Sequence, residues 1–215
     1  MLTHIVFDLD ETLYPRQAGL MQEIGLRIMR YMIERLGLPL EEAQARRARY
    51  YRVYGTALRG LMTEETIDPE DYLRFVHDID LTGFIEPNPT LAAMLLDIPL
   101  SKAIFTNATA EHARRVLEVL GVADLFALIF DIRAMRYINK PDPRAYRLLR
   151  AALDVPAQSC ILVEDNPRNL LPAKSLGMAT ILVDHAECDQ VDACVADILG
   201  VGKIVARMLN SPGSA

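Results

Sequence analysis

Five short apolar runs recur along this 215-residue chain, at residues 2–9, 101–106, 128–132, 159–163 and 179–183. Each is rich in β-branched or aromatic residues and too short for a helix, which is how strands buried on both faces of a parallel sheet read. Helical patterns fill the gaps at residues 89–96, 110–120, 143–152 and 169–176, the last stopped by Gly177. Strands alternating with helices of that length predict an α/β chain with a doubly wound parallel sheet. One interval breaks the rhythm: residues 15–85 hold no strand pattern, only helical ones at 17–36, 40–62 and 69–79. An all-helical insertion directly after the first strand predicts a cap over the ligand-binding end of the sheet. The expected division is therefore a core of residues 1–14 and 86–215 and a cap of residues 15–85, ending in a small polar tail at 211–215.

Composition narrows the partners. With 51% hydrophobic residues the chain can bury a sizeable core. Lys plus Arg (23) against Asp plus Glu (29) leaves a net charge of −6 with no basic tail, so a nucleic-acid polymer is not an expected partner. Cys160, Cys188 and Cys194 show no CxxC spacing and are expected to be reduced thiols. No run approaches a membrane span and no signal-peptide core precedes Asp8, so neither membrane insertion nor secretion is expected, and the cytoplasm is the expected location. Oligomeric state is not legible.

The ends of the strands carry the chemistry. In an open parallel sheet ligands bind outside the carboxyl ends of the strands. The first run ends in Asp8 and Asp10, the second in Thr106 and Asn107, and the fourth in Glu164 and Asp165, while Lys140 lies in the loop YINKPDP after the third. Carboxylates converging on one point repel one another unless a cation sits between them, and such an oxygen set suits Mg²⁺ that also holds a phosphate. A hydroxyl, backbone amides and a lysine facing the same point would bind the remaining phosphate oxygens. A lone DxD, Thr-Asn pair or lysine is ordinarily a turn or surface feature. Together, in this order, they read as phosphoryl chemistry. Only four lysines occur, and Lys174 is the alternative to Lys140.

DxDET at the first strand, FTN after the second, NKPDP and EDNPRN resemble the four ordered motifs of the haloacid dehalogenase-like hydrolase superfamily. The resemblance implies a Rossmann-like core with an inserted α-helical cap and a Mg²⁺-dependent phosphatase acting on a small phosphorylated metabolite. By that resemblance Asp8 is the nucleophile and forms an aspartyl-phosphate. Asp10 protonates the leaving oxygen, then deprotonates the attacking water. Asp8, the Asp10 carbonyl and Asp165 hold the metal, Glu164 acts on it through water, and Thr106, the Asn107 amide and Lys140 hold the phosphoryl oxygens. Residues two apart on an extended segment face the same way, which lets Asp8 and Asp10 serve one bond. Asn169 stands where many members have an acidic residue, a departure for which Glu164 is the expected compensation.

Within the superfamily, YYRVYGTALRGLM at residues 50–62 and FVHDIDL further on are similar to the pyrimidine 5′-nucleotidase group. That implies a nucleoside monophosphate substrate, with Tyr14, Tyr54 and Thr56 as candidate specificity residues, although Tyr54 and Tyr14 can equally be packing residues. Gly55 interrupts the helical pattern and predicts a bend toward the substrate. Arg46, Arg49 and Arg52 recur at helical spacing and read as a solvated face. His77 reads as structural, and His4, His112 and His185 lack metal-binding spacing. A dehalogenase is disfavoured by Asp10, since a halide leaves unprotonated, and a phosphonatase by the absence of lysine from residues 15–85. Phosphoglycolate or sugar-phosphate phosphatases, a phosphomutase and a non-catalytic phosphate-ligand binder remain as alternatives.

Overall fold

A computed structural model describes residues 1–210; the polar tail at 211–215 lies outside the described residues. Six strands form one parallel sheet: β1 (His4–Phe7), β2 (Ser101–Phe105), β3 (Leu128–Phe130), β4 (Cys160–Glu164), β5 (Ala179–Val183) and β6 (Ala193–Val195). Their order is β3-β2-β1-β4-β5-β6. The five expected strands are present, and β6 adds a short edge. Phe7 pairs with Ile104 on one side and Val163 on the other, so the chain leaves all three central strands at nearly one level. That level is where Asp8, Thr106, Glu164 and Asp165 emerge.

Alternation along β1 builds two hydrophobic layers. Ile5 and Phe7 pack into one with Leu91, Leu95, Val116 and Val205. Val6 faces the other with Phe105, Tyr146 and Leu170. Helices α5 (Pro89–Asp97), α6 (Ala110–Leu120) and α9 (Val201–Asn210) cover the first face, and α7 (Pro143–Leu153) and α8 (Pro167–Ser175) the second. A fully buried aliphatic side chain contributes about 1.5–3 kcal/mol, so these layers dominate the favourable terms. The starts of α5, α7 and α8 share one device: Asn88, Asp142 or Asn166 caps the helix and proline takes its first turn, where no N–H is needed.

Between β1 and α5 the insertion folds as α1 (Leu20–Leu36), α2 (Leu40–Tyr54), α3 (Ala57–Glu64) and α4 (Pro69–His77). The expected helical stretch at 40–62 is two helices. Gly55 sits at φ 85°, in the left-handed region, and Thr56 caps α3 by accepting from the Arg59 N–H. A Cβ on Gly55 would lie 2.7 Å from Asn139 Nδ2 and 3.1 Å from the Lys140 carbonyl, so the bend is also where the insertion meets the lysine loop. Arg46 and Arg49 are tied to Glu42, Glu65 and Glu64 rather than free in solvent. The cysteine expectation needs correction: Cys188 and Cys194 form a disulfide with Cα atoms 5.9 Å apart, and only Cys160 is a free, buried thiol. The loop from β5 to β6 brings these two together, a proximity their spacing alone does not reveal. No helix among the described residues is long and apolar enough to cross a membrane.

Candidate active site

A cavity of about 890 Å³ opens over the carboxyl ends of the central strands. Its floor includes Asp8, Asp10, Thr106, Lys140, Glu164 and Asp165. Lys140 is 2% exposed, and its Nζ donates to Asp8 Oδ1 at 2.6 Å and to Glu164 Oε2 at 2.7 Å. The loop delivering it is pinned by Asn107, whose Oδ1 accepts from the Lys140 N–H at 2.8 Å. The Asn107 side chain therefore sets the lysine and leaves only the main chain for a phosphate. Thr106 is buried and its hydroxyl accepts from the Ala108 N–H at 3.0 Å, closing the turn after β2. Lys174, the alternative, pairs with Asp192 at 3.2 Å and does not line the cavity.

Two residues beside these were not assigned from the sequence. Thr12, within DxDET, lies 3.2 Å from Asp8 Oδ2 and accepts from the Asp165 N–H at 3.1 Å, which ties the first motif to the last. His112 Nε2 lies 3.2 Å from Asp10 Oδ1, which also accepts from the Tyr14 hydroxyl at 2.6 Å. Burial pushes the Asp10 carboxyl up, but His112 and then Tyr14 outweigh it and hold it below its ordinary value. The signal for His112 was a polar residue on the buried stripe of α6, beside Ala113, Val116 and Leu117.

Helices α1 to α4 roof the cavity with Arg47, Tyr51, Leu58, Tyr72, Val76 and His77. The candidate specificity residues are placed differently. Tyr14 is 3% exposed, donates to Asp10 and is not among the residues lining the cavity. Tyr54 points away from the main cavity, its hydroxyl donating to Glu64 at 2.8 Å and its ring tilted against Tyr50. It lines a separate 410 Å³ cavity beside Arg59 and Arg144. Thr56 reaches the main cavity, but its hydroxyl is engaged as the cap of α3. The tyrosine of α2 that lines the cavity is Tyr51, one helical turn beyond Arg47, with its hydroxyl accepting from Asn166 Nδ2 at 3.1 Å.

Residues 2–177 match the haloacid dehalogenase-like hydrolases. The chain belongs to that family. This hydrolase is 29% identical over 192 residues to Phosphate metabolism protein 8 of Saccharomyces cerevisiae, covering 82% of this chain and 60% of the yeast protein, less than two thirds of its length. It is 26% identical over 204 residues to Phosphoglycolate phosphatase of Rhodospirillum rubrum, covering 84% of this chain and 79% of that one. Its fold is like that of CbbY from Rhodobacter sphaeroides in complex with phosphate, with a TM-score of 0.67 at 20% identity over 94% of this chain and 97% of that one.

The floor of this hydrolase fits a hard divalent cation. Oxygens of Asp8, Glu164 and Asp165 lie within 4.8 Å of one another, all three residues buried. The buried lysine answers them with a single positive charge; Arg16, 3.1 Å from Asp165, has a mostly exposed side chain. Burial, and then Glu164, push Asp8 up to about 7 against the opposing pull of Lys140. Burial likewise raises Glu164 to about 7. An excess of buried negative charge on oxygen donors is the condition Mg²⁺ relieves. The Asp10 side chain stands outside this cluster. Asn169, the departure from the family pattern, donates to Glu164 Oε2 at 3.0 Å and turns that carboxylate toward Lys140.

Proposed function

We propose that this hydrolase is a Mg²⁺-dependent phosphatase of small phosphorylated metabolites, working through an aspartyl-phosphate on Asp8. The observation that carries the reading is the buried Asp8–Lys140–Glu164 bridge on the cavity floor, with Asp165 alongside. A nucleophilic carboxylate without a countercharge would repel an incoming phosphate; Lys140 neutralises it and remains to balance the phosphoryl oxygens in the transition state. Asp8, the Asp10 carbonyl and Asp165 would hold the metal, with Glu164 behind them acting through water; Mg²⁺ bound there would offset the negative charge shared by the Asp8 carboxylate and the phosphoryl oxygens. Thr106 and the Asn107 amide complete the cradle. Asp10, ionised in the free protein, is favoured to take up a proton when the negatively charged phosphate arrives. It then serves as acid in the first half-reaction and base in the second.

For the substrate we propose a nucleoside 5′-monophosphate, with a pyrimidine base as the finer reading. Beyond the resemblance of residues 50–62 and the FVHDIDL stretch, the support is the cavity. At about 890 Å³ it suits a ligand much larger than phosphoglycolate, and Tyr51 and Arg47 face it from the helical cap. The R. rubrum relative is named for phosphoglycolate, and that substrate is the alternative. Phosphate release by purified protein from UMP, CMP, AMP, phosphoglycolate and p-nitrophenyl phosphate separates them. UMP and CMP are expected to give the highest kcat/KM. Preference for phosphoglycolate would remove the nucleotide reading, and hydrolysis of none would remove the phosphatase.

A further inference from the structure

Asp10 is anchored by one oxygen only. Its Oδ1 takes both the Tyr14 hydroxyl and His112 Nε2, while Oδ2 has no hydrogen bond among the described residues and the side chain borders the cavity. Both partners are buried, His112 at 1% exposure. A leucine would fill the His112 position on α6 at lower desolvation cost, and the imidazole is kept even though its Nδ1 has no partner. The one hydrogen bond that His112 side chain makes is therefore the feature that distinguishes it from an apolar core residue. A second histidine backs it from the insertion. His77, the last residue of α4, stacks on His112 with ring centroids 4.4 Å apart and planes 22° apart. Arg115 of α6 holds that end of α4 through the His77 and Ile79 carbonyls.

We propose that Tyr14 and His112 are positioning residues for proton transfer: they fix Asp10 by Oδ1, reserve Oδ2 for the leaving oxygen, and are braced by His77 of the cap. In the first step the Asp8 oxygen bonds to phosphorus, the bond from phosphorus to the leaving oxygen breaks, and the proton on Asp10 Oδ2 moves to that oxygen. In the second, a water oxygen replaces Asp8 on phosphorus and its proton returns to Oδ2. The clamp keeps the carboxylate from turning toward Lys140, where it would compete with Asp8 for the same charge. The histidine stack makes the acid's geometry depend on α4 being seated against α6, so substrate enclosure and proton delivery come together.

The inference rests on the phosphatase reading, and one experiment separates the two. The rate of release of the first equivalent of phenol is compared between p-nitrophenyl phosphate, whose leaving group departs with little help, and phenyl phosphate, which needs protonation. Tyr14→Phe combined with His112→Leu should lower the phenyl to p-nitrophenyl ratio by about tenfold or more, a part of the roughly 10²–10⁴-fold that general acids supply. His112→Gln, whose amide can still donate to Oδ1, should recover most of that ratio, and His77→Ala should lower it by a smaller factor. A ratio unchanged in the double variant, or a leucine that performs as well as glutamine, would overturn the clamp while leaving the phosphatase standing. Should the double variant fail to fold, Tyr14→Phe alone, nearly isosteric, must still lower the ratio. If the unmodified protein hydrolyses neither ester, the phosphatase reading itself is lost.

Discussion

On the floor of the cavity, Asp8, Lys140 and Glu164 are at most 7% exposed and joined to one another at 2.6 and 2.7 Å; in the roof, Tyr51 is 53% exposed and receives a single side-chain hydrogen bond from Asn166. The contrast is one of construction. The floor is set by strand ends held in register, so its polar groups have no freedom and their charges are strongly coupled. The roof is set by helix faces, where exposed Arg47 and Tyr51 of α2 stand one turn apart beside the buried Leu58, Tyr72 and Val76. On the function proposed above, the floor acts on the phosphate, and selection of the rest of the molecule falls to the roof.

The largest expected effect tests the floor. Asp8→Asn keeps the shape and removes the anionic nucleophile, so turnover should fall by at least about 10³-fold for every substrate. The same variant removes a buried charge and should melt no lower than the parent. Thorough chelation should match that loss, with activity restored by Mg²⁺. Ca²⁺ should support activity poorly, because its looser coordination spoils in-line geometry. Near-normal turnover by Asp8→Asn, measured as phosphate release, would sink the mechanism.

Next in size is a pH effect on stability. Asp8 titrates at about 7 in the folded metal-free protein against an ordinary 3.8, and Glu164 at about 7 against 4.5. Between those limits the folded state binds more protons at these two groups than the unfolded one, so their contribution to stability is fully present below about 4 and is lost as pH rises through 7. We expect the Tm of metal-free protein to drop by about 4 °C or more between pH 5 and pH 8, with Mg²⁺ raising it more at pH 8 than at pH 5. Asp8→Asn should flatten the slope. A Tm that climbs across this range without metal would contradict the crowded-carboxylate account.

The same difference in construction explains what could be read from the sequence. Apart from Lys140, which lies in a loop eight residues past the third run, each floor residue follows a short apolar run directly, so finding the run locates the residue to within one or two positions. No local pattern marks Thr12 and His112, because their partners, Asp165 and Asp10, are 153 and 102 residues away. In the roof the sequence offers three tyrosines on one helix, and which of them faces the cavity depends on how α2 is rotated. Tyr50 and Tyr54, four apart, turn toward α3, where any side chain at Gly60 would overlap the Tyr50 ring. Arg47, Ala48 and Tyr51 turn the other way. Helical spacing groups these residues into faces without saying which face is which. The strand β6 is not legible for another reason: its three residues lie in a short stretch between Asp192 and Asp197 and add little pattern.

That rotation supplies the next test. Tyr51→Ala should lower kcat/KM for a nucleoside monophosphate by roughly tenfold, the scale of one or two lost contacts, with little change for p-nitrophenyl phosphate. Tyr54→Ala should change both by less than about threefold, since it removes a hydrogen bond to Glu64 outside the cavity. If Tyr54 proves selective and Tyr51 does not, the assignment of faces is wrong.

The smallest effect concerns the join between roof and floor. Glu70 of α4 accepts from Arg133 Nε at 2.9 Å and NH2 at 2.7 Å and from the Tyr137 hydroxyl at 2.5 Å, a two-pronged contact between the helical insertion and the loop after β3. About a third of each partner's side chain is exposed, so the pair is worth no more than about 1 kcal/mol. Losing it should loosen α4 against the sheet without altering any group that touches phosphate. Glu70→Gln is expected to lower kcat/KM by about two- to fivefold, equally for nucleotides and p-nitrophenyl phosphate, with the gap to the parent closing as salt screens the parent's own pair. Arg133, and then Tyr137, hold the Glu70 carboxyl down to about 2, so this contribution is present above the ordinary carboxylate range and disappears only as pH falls from about 4.5 toward 2. A substrate-selective loss would instead mean that α4 reads the substrate directly, and the division between a floor that binds phosphate and a roof that selects through α2 would have to be redrawn around α4.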